Sequence, residues 1–251
     1  MTLLRPGLCS VTARHLPTDG VLEAAAEAGL ACIEWGADVH APPAGDLRGL
    51  AAATAAAGLA VASYGTYWRA PTDDDGGALI GAAQALGCTR LRIWAGTAGS
   101  AEASPAERAE VVRRVRRLAD EAAGHGLELA FEHHDLTLAD TVESTLDLLA
   151  EVDRPNVGTY WQPRVGEPAE VALAGLARLL PHVRAVHAFS WWPRHERLPL
   201  AARPDLWPAA LEMLAATGRP TDVLLEFLPD DDMSLLPSEA GRLREWIAQA
   251  T

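Results

Sequence analysis

Apolar and polar positions along the chain fall into a repeating order: an alanine-rich stretch with helical spacing, a glycine, then a short apolar run. The segments LEAAAEAGLACIEW, LAAATAAAGLAVASY and LIGAAQALGCTRLRIW place that glycine at 29, 58 and 87, an interval of 29 residues each time. Helical spacing predicts an amphipathic helix, and a glycine just beyond it predicts the turn that ends the helix. The runs that follow lack the alternation of a half-exposed strand and read as parallel strands covered on both faces. A fourth unit, LADEAAGHGLELAFE, repeats the design after a longer helix. Further strand candidates are GLCS near 7–10, NVGTY at 156–160, VRAVH at 183–187 and DVLLEF at 222–227, and helical patterns follow nearly all of them. Eight strands alternating with helices predict the α/β class and a single (β/α)8 TIM barrel over residues 1–251. An open doubly wound sheet is the competitor. It would be favoured by a glycine-rich dinucleotide or phosphate loop, and neither G-x-G-x-x-G nor G-x-x-x-x-G-K-[ST] occurs.

One apolar run breaks off abruptly. GLELAFEHHD ends in Glu132, His133, His134 and Asp135, and TLADTVESTLDLLAEV after it reads as a helix capped by Thr137 with Asp140 three residues on. The four ionisable residues then occupy a strand-to-helix turn, on the face where such barrels carry their chemistry. The same place on other strands holds Glu34 and Trp35 (second), Tyr64 through Arg69 (third), Arg92 and Trp94 (fourth), and Trp161 and Gln162 (sixth). His187 ends the seventh strand and Glu226 the eighth. Glu132, Gln162, His187 and Glu226 offer two carboxylates, a carboxamide and an imidazole to one divalent cation. Oxygen-rich ligation with one nitrogen suits Mn2+ or Mg2+, with Co2+ and Zn2+ also compatible. Singly, each residue has an ordinary use: a strand-end glutamate capping a helix, a hydrogen-bonded core histidine, a turn at Gln162 before Pro163. Four coordinating groups at matching places on consecutive strands point instead to a metal. Six of the eight tryptophans (Trp35, Trp68, Trp94, Trp161, Trp191 and Trp192) also fall at predicted strand ends, where flat walls suit the apolar faces of a sugar or polyol.

A net charge of −13 opposes a nucleic-acid partner, whose phosphates demand a basic surface. The basic run VVRRVRRLAD belongs to a solvated helix opened by Ser104-Pro105-Ala106-Glu107, the form of a capping box with proline in the first turn. All 21 cationic side chains are arginine, which excludes any mechanism built on a lysine Schiff base. No apolar run reaches the roughly 18–20 residues that span a bilayer, so no membrane partner is expected. MTLLRPGLCS lacks the pattern of a secretory signal. Cys9, Cys32 and Cys88 read as reduced core thiols, and together these features favour a cytoplasmic location.

The segments GLACIEWGADVH, VASYGTYWR, RLRIWAG, LAFEHHDLTLADT, NVGTYWQP, VRAVHAF and VLLEF give nearly the whole chain a resemblance to the sugar phosphate isomerase/epimerase family of the xylose isomerase-like TIM barrel superfamily. The resemblance implies metal ligation by Glu132, Gln162, His187 and Glu226, with the two glutamates as an acid–base pair. It also places His134 and Arg194 against substrate hydroxyls. Glu34, Trp35, His40, Trp68, Trp94 and Trp191 are further candidates for substrate contact. One departure stands out: many relatives end the sixth strand in an aspartate ligand, often with a histidine three residues on, where this chain has Gln162 and Val165. Neutral Gln162 makes the ligand set electrically neutral with a dication, which predicts weaker retention of a more strongly polarising ion.

The expected reaction is proton transfer beside the carbonyl of a small sugar or polyol, in an isomerase or epimerase. If a hydroxyl β to the carbonyl leaves, the same groups perform a dehydration. The rivals are a metal-dependent endonuclease, which the charge opposes, and a catalytically silent sugar-binding barrel, which Gln162 motivates. The aspartates of LPDDDMS after the eighth strand disfavour a phosphorylated substrate, with Arg194 and Arg197 the groups available to hold an anion. A homo-oligomer paired through its helices is compatible with such a barrel.

Overall fold

The evenly spaced glycines end their helices as the pattern predicts. Gly29, Gly58 and Gly87 have φ of 70°, 76° and 71°, a left-handed conformation that costs glycine nothing and other residues about 1–2 kcal/mol. In this computed structural model, which describes residues 3–71, 73–74 and 76–250, the strands that follow are parallel. They are β1 (Leu4–Cys9), β2 (Cys32–Gly36), β3 (Ala60–Gly65), β4 (Arg90–Ile93), β5 (Glu128–Phe131), β6 (Val157–Trp161) and β7 (Val183–Ala188). A short antiparallel hairpin, β8 (Ser190–Trp191) with β9 (Arg197–Leu198), precedes β10 (Thr221–Leu225). The eight parallel strands close in the order β1-β10-β7-β6-β5-β4-β3-β2, a (β/α)8 TIM barrel.

Eight helices surround it: α1 (Thr18–Glu27), α2 (Leu47–Ala56), α3 (Gly77–Leu86), α4 (Pro105–Ala123), α5 (Val142–Val152), α6 (Ala169–Leu179), α7 (Trp207–Ala216) and α8 (Leu236–Gln249). At the start of α4 the Ser104 hydroxyl accepts the Glu107 N–H at 3.3 Å, while the Glu107 carboxylate accepts the Ser104 N–H at 2.8 Å. The α5 cap is Thr141, which accepts the Ser144 N–H at 3.1 Å, rather than Thr137. Thr137 instead donates to the His134 carbonyl at 2.7 Å and folds the turn that carries the strand-end residues.

Strand periodicity sorts side chains between two cores. Leu91, Ile93, Leu129, Phe131, Trp161 and Val223 pack outward against the apolar faces of the helices. Cys9, Cys32, Ala62, Ala130, Tyr160, Ala185 and Leu224 form a separate inner cluster. The inward positions before that cluster are ionic: Asp222 meets Arg5 at 2.6 Å and Arg90 at 3.1 Å, and Glu128 meets Arg90 at 2.7 Å and Arg184 at 3.1 Å. The inward positions after it are Glu34, Arg92, Glu132, Gln162, His187 and Glu226. Continuous apolarity therefore describes the outward faces of the strands, while the interior runs ionic, apolar, ionic. Cys9, Cys32 and Cys88 are buried free thiols. Among the described residues no helix is long and apolar enough to cross a membrane.

Candidate metal centre and active site

The strand-end donors converge because residues two apart on a strand share a face. Glu132 follows Glu128 and Ala130 inward, Gln162 follows Tyr160, and Glu226 follows Asp222 and Leu224. One ligand atom each from Glu132, His187 and Glu226 lie within 4.8 Å of one another, and all three residues are buried. His187 Nδ1 is 3.0 Å from Gln162 Oε1 and 3.3 Å from Glu226 Oε2. Its Nε2 is 3.2 Å from Glu34 Oε1, so both ring nitrogens face oxygen acceptors; with a cation on Nδ1, the proton belongs on Nε2, where the Glu34 carboxylate accepts it. Nδ1 then turns a lone pair toward two oxygen acceptors, with the Glu132 carboxylate close by. A divalent cation satisfies such a set of donors, so Glu132, Gln162, His187 and Glu226 fit the group they were expected to hold.

Glu34 organises the layer behind them. It is fully buried and accepts from Tyr160 Oη and Ser63 Oγ, each at 2.7 Å, and from the Cys9 thiol at 3.4 Å. The Arg92 guanidinium forms an ion pair with it at 2.9 Å and reaches over to the Glu132 carboxylate. Burial alone would raise the Glu34 carboxyl, yet Arg92, His187 and Tyr160 hold it well below the usual carboxylate range. Opposite Glu34 and Tyr160 the register shifts by one residue, with Ala62 the extra residue in β3 and Arg184 in β7, which sets Ser63 beside Glu34 and Ala185 beside Tyr160. Gly65 leaves the room: a Cβ there would sit 2.8 Å from Arg92 and 2.9 Å from Glu34.

Above the donors a cavity of about 380 Å³ opens to solvent. One wall is aromatic, with the Trp191 ring centre 5.8 Å from that of Phe189 and 5.1 Å from that of Phe227, both pairs tilted. The opposite wall carries Tyr67, Trp94 and His134, the last two with ring centres 4.3 Å apart. Asp140 Oδ2 accepts the Ser100 N–H at 2.9 Å. Asp140 Oδ1, Trp94 Nε1 and Trp191 Nε1 are buried and have no hydrogen-bond partner among the described residues. His133 also lines the cavity, and burial pushes its imidazole down to about 4.

Several expected substrate contacts lie elsewhere. Trp35 is one residue past the inward Glu34, so it points outward and its indole donates to Thr54 at 3.1 Å. Trp161, adjacent to inward Gln162, likewise packs outward on Trp207. His40 bonds the Leu16 carbonyl at 3.0 Å. Trp68 donates to the Asp74 carbonyl at 3.3 Å and lies beside Gly76 and Leu118. Arg194 sits on the exposed hairpin turn, and Trp192 lies under Arg203; neither residue lines the cavity. Glu34 stands behind His187 with every oxygen engaged, which leaves no lone pair for a ligand. Of the expected contacts, His134, Trp94 and Trp191 do line the cavity, joined by Arg92, Tyr67, Asp140, Phe189 and Phe227. Strand parity was the signal for Arg92, two residues after inward Arg90. Nothing local in the sequence marks Asp140 or Phe227.

Known proteins share this architecture. The structure of the probable 3-DHS dehydratase AsbF from Bacillus anthracis superposes with a TM-score of 0.78 at 21% identity, covering 96% of this chain and 98% of that one. A xylose isomerase-like TIM barrel protein from Mycobacterium smegmatis in complex with magnesium gives 0.76 at 18% identity, with coverages of 98% and 97%. L-ribulose 3-epimerase gives 0.73 at 17% identity, with coverages of 98% and 94%. A 3-dehydroshikimate dehydratase of Bacillus anthracis is 46% identical over 68 residues, a match spanning 27% of this chain and only 24% of the relative's length. Residues 22–245 match the family described as xylose isomerase-like TIM barrel, to which this chain belongs.

Proposed function

We propose that the protein is a divalent-metal-dependent enzyme that moves a proton at the carbon beside the carbonyl of a small polyhydroxylated substrate, as an isomerase or epimerase. The observation that carries this reading is the convergence of Glu132, His187 and Glu226 within 4.8 Å at the floor of an open cavity, with Gln162 on His187. Glu132, Gln162, His187 and Glu226 would hold the cation. When bound, it supplies Lewis-acid polarisation of the carbonyl and stabilises the negative charge that develops on its oxygen. Glu132 and Glu226 come from opposite sides of the donor cluster, on β5 and β10. One takes the proton; in an isomerase it returns the proton to the neighbouring carbon, while in an epimerase the other glutamate returns it to the opposite face. Arg92 holds the Glu132 carboxylate in position, and the Trp94 and Trp191 walls confine the ring.

A dehydratase is the second reading, supported by the 46% identity over 68 residues to a 3-dehydroshikimate dehydratase. It uses the same first proton removal and differs in losing a β-hydroxyl. The test pairs elemental analysis of the purified protein with solvent-deuterium uptake into candidate ketoses and ketocyclitols after metal loading. Bound metal and one exchanged carbon position are expected. A protein that binds no metal on titration, or binds substrate without exchanging a proton, overturns the proposal; release of water with formation of a conjugated enone selects the dehydratase.

A further inference from the structure

We infer that Thr12 is a positioning residue that holds Glu226 in the donor set. The inference rests on the proposed function only for the role of Glu226; the contacts that carry it belong to the main chain around that residue. β1 supplies none of the proposed donors, yet it lies between β2 and β10 in the barrel and ends in a single buried 3-10 turn, Ser10–Ala13. Pairing of β1 with β10 runs from Leu4 opposite Thr221 to Leu8 opposite Leu225, and stops one residue short of Glu226. There the Thr12 hydroxyl takes over. It accepts the Phe227 N–H at 3.1 Å and donates to the Leu225 carbonyl at 3.3 Å, so one side chain grips the main chain on both sides of Glu226. On the opposite flank the Glu226 N–H donates to the Ala188 carbonyl at 3.1 Å.

Only a group that both donates and accepts can span those two main-chain atoms, and a hydroxyl does so. Thr12 is 2% exposed, which keeps bulk water from taking the hydroxyl's place, and its branched Cβ restricts the rotamers open to it. Phe227 makes the grip necessary. Its φ is +57°, a left-handed conformation that favours glycine, and it directly follows the residue whose carboxylate meets His187 Nδ1 at 3.3 Å. Without the hydroxyl the Phe227 N–H loses its partner and the turn is free to relax toward negative φ, which carries the Glu226 carboxylate away from the imidazole. The same turn serves β2, where the Ser10 hydroxyl accepts the Gly36 N–H at 2.9 Å, two residues after Glu34. A strand with no donor of its own thus fixes the strand ends on either side of it.

The test compares Thr12→Val, which swaps the hydroxyl for a methyl of nearly the same size, with Thr12→Ser, which keeps it. Calorimetric titration with manganese should show an affinity ~10–100-fold below wild type in Thr12→Val, and within about threefold of wild type in Thr12→Ser. Amide hydrogen exchange at Phe227, followed by NMR in the metal-free protein, should be at least ~10-fold faster in Thr12→Val alone. A merely structural threonine would lower the urea midpoint and leave metal affinity unchanged, and that result overturns the inference. So does a loss of affinity that Thr12→Ser shares in full. If Thr12→Val does not fold, the wild type decides: saturation with magnesium should slow Phe227 exchange by about threefold or more, and unchanged exchange overturns the inference. The two readings fail separately. Equal metal binding by wild type and Thr12→Val dismisses Thr12 and leaves the chemistry standing. A wild type that binds no metal sinks the proposed function, and the grip on Glu226 then stands or falls on Phe227 exchange in the two variants.

Discussion

Glu34 is the residue on which the donor set turns, although it has no lone pair free for a ligand. By accepting the proton of His187 Nε2 at 3.2 Å it leaves Nδ1 as the electron pair facing Gln162 and Glu226, and through Arg92 it also positions Glu132. A carboxamide at this place can donate to Nε2 and move the proton to Nδ1. Glu34→Gln should therefore lower metal affinity about 10–100-fold, read by calorimetric titration, and nitrogen NMR of His187 should show the changed tautomer. An unchanged affinity would dismiss the positioning role. Gln162 gives the complementary test. Gln162→Asp adds a negative ligand and should tighten metal binding at least ~10-fold on an electrostatic count; weaker binding would remove Gln162 from the ligand set.

At the scale of elements, the fold was legible because helix-ending glycines and apolar runs are local signals. The strand ends were legible for a related reason: Glu132 and Glu226 interrupt apolar runs at equivalent places. Reading all tryptophans at strand ends as one wall failed because a strand shows opposite faces at successive residues. Trp35 beside Glu34 and Trp161 beside Gln162 had to face the helices once their neighbours faced the axis. The bulges near Glu34 and Tyr160, and the cap at Thr141 rather than Thr137, depend on register between strands, which no single segment contains. The repeated glycine can be tested alone at Gly58, where an added Cβ meets nothing within 4 Å and φ is +76°. Gly58→Ala should cost about 1–2 kcal/mol from backbone conformation alone, measured as a lower urea midpoint with an unchanged m-value.

For the whole molecule, buried ionisable groups make stability depend on pH. Burial holds the His133 imidazole at about 4 in the folded chain against 6.5 ordinarily. Between those values the unfolded chain binds the extra proton, so stability is complete above pH ~6.5 and is lost as pH falls through 4. The full shift corresponds to about 3 kcal/mol. Denaturation midpoints of the metal-free protein should fall across that window, and His133→Gln should flatten the slope. A wild-type midpoint constant from pH 7 to 4.5 would contradict the burial argument.

The order of layers inside the barrel has a further consequence for isotope experiments. Cys9, Cys32, Ala62, Ala130, Tyr160, Ala185 and Leu224 form a largely apolar disc between the arginine–carboxylate floor and the donor cluster, and its exchangeable hydrogens are the Cys32 thiol facing Asp222 and the Cys9 thiol and Tyr160 hydroxyl facing Glu34. Bulk water reaches Glu132 and Glu226 through the cavity mouth, which a bound ligand would fill. Label lifted from one carbon is then shielded until the ring departs, and intramolecular return should compete with washout.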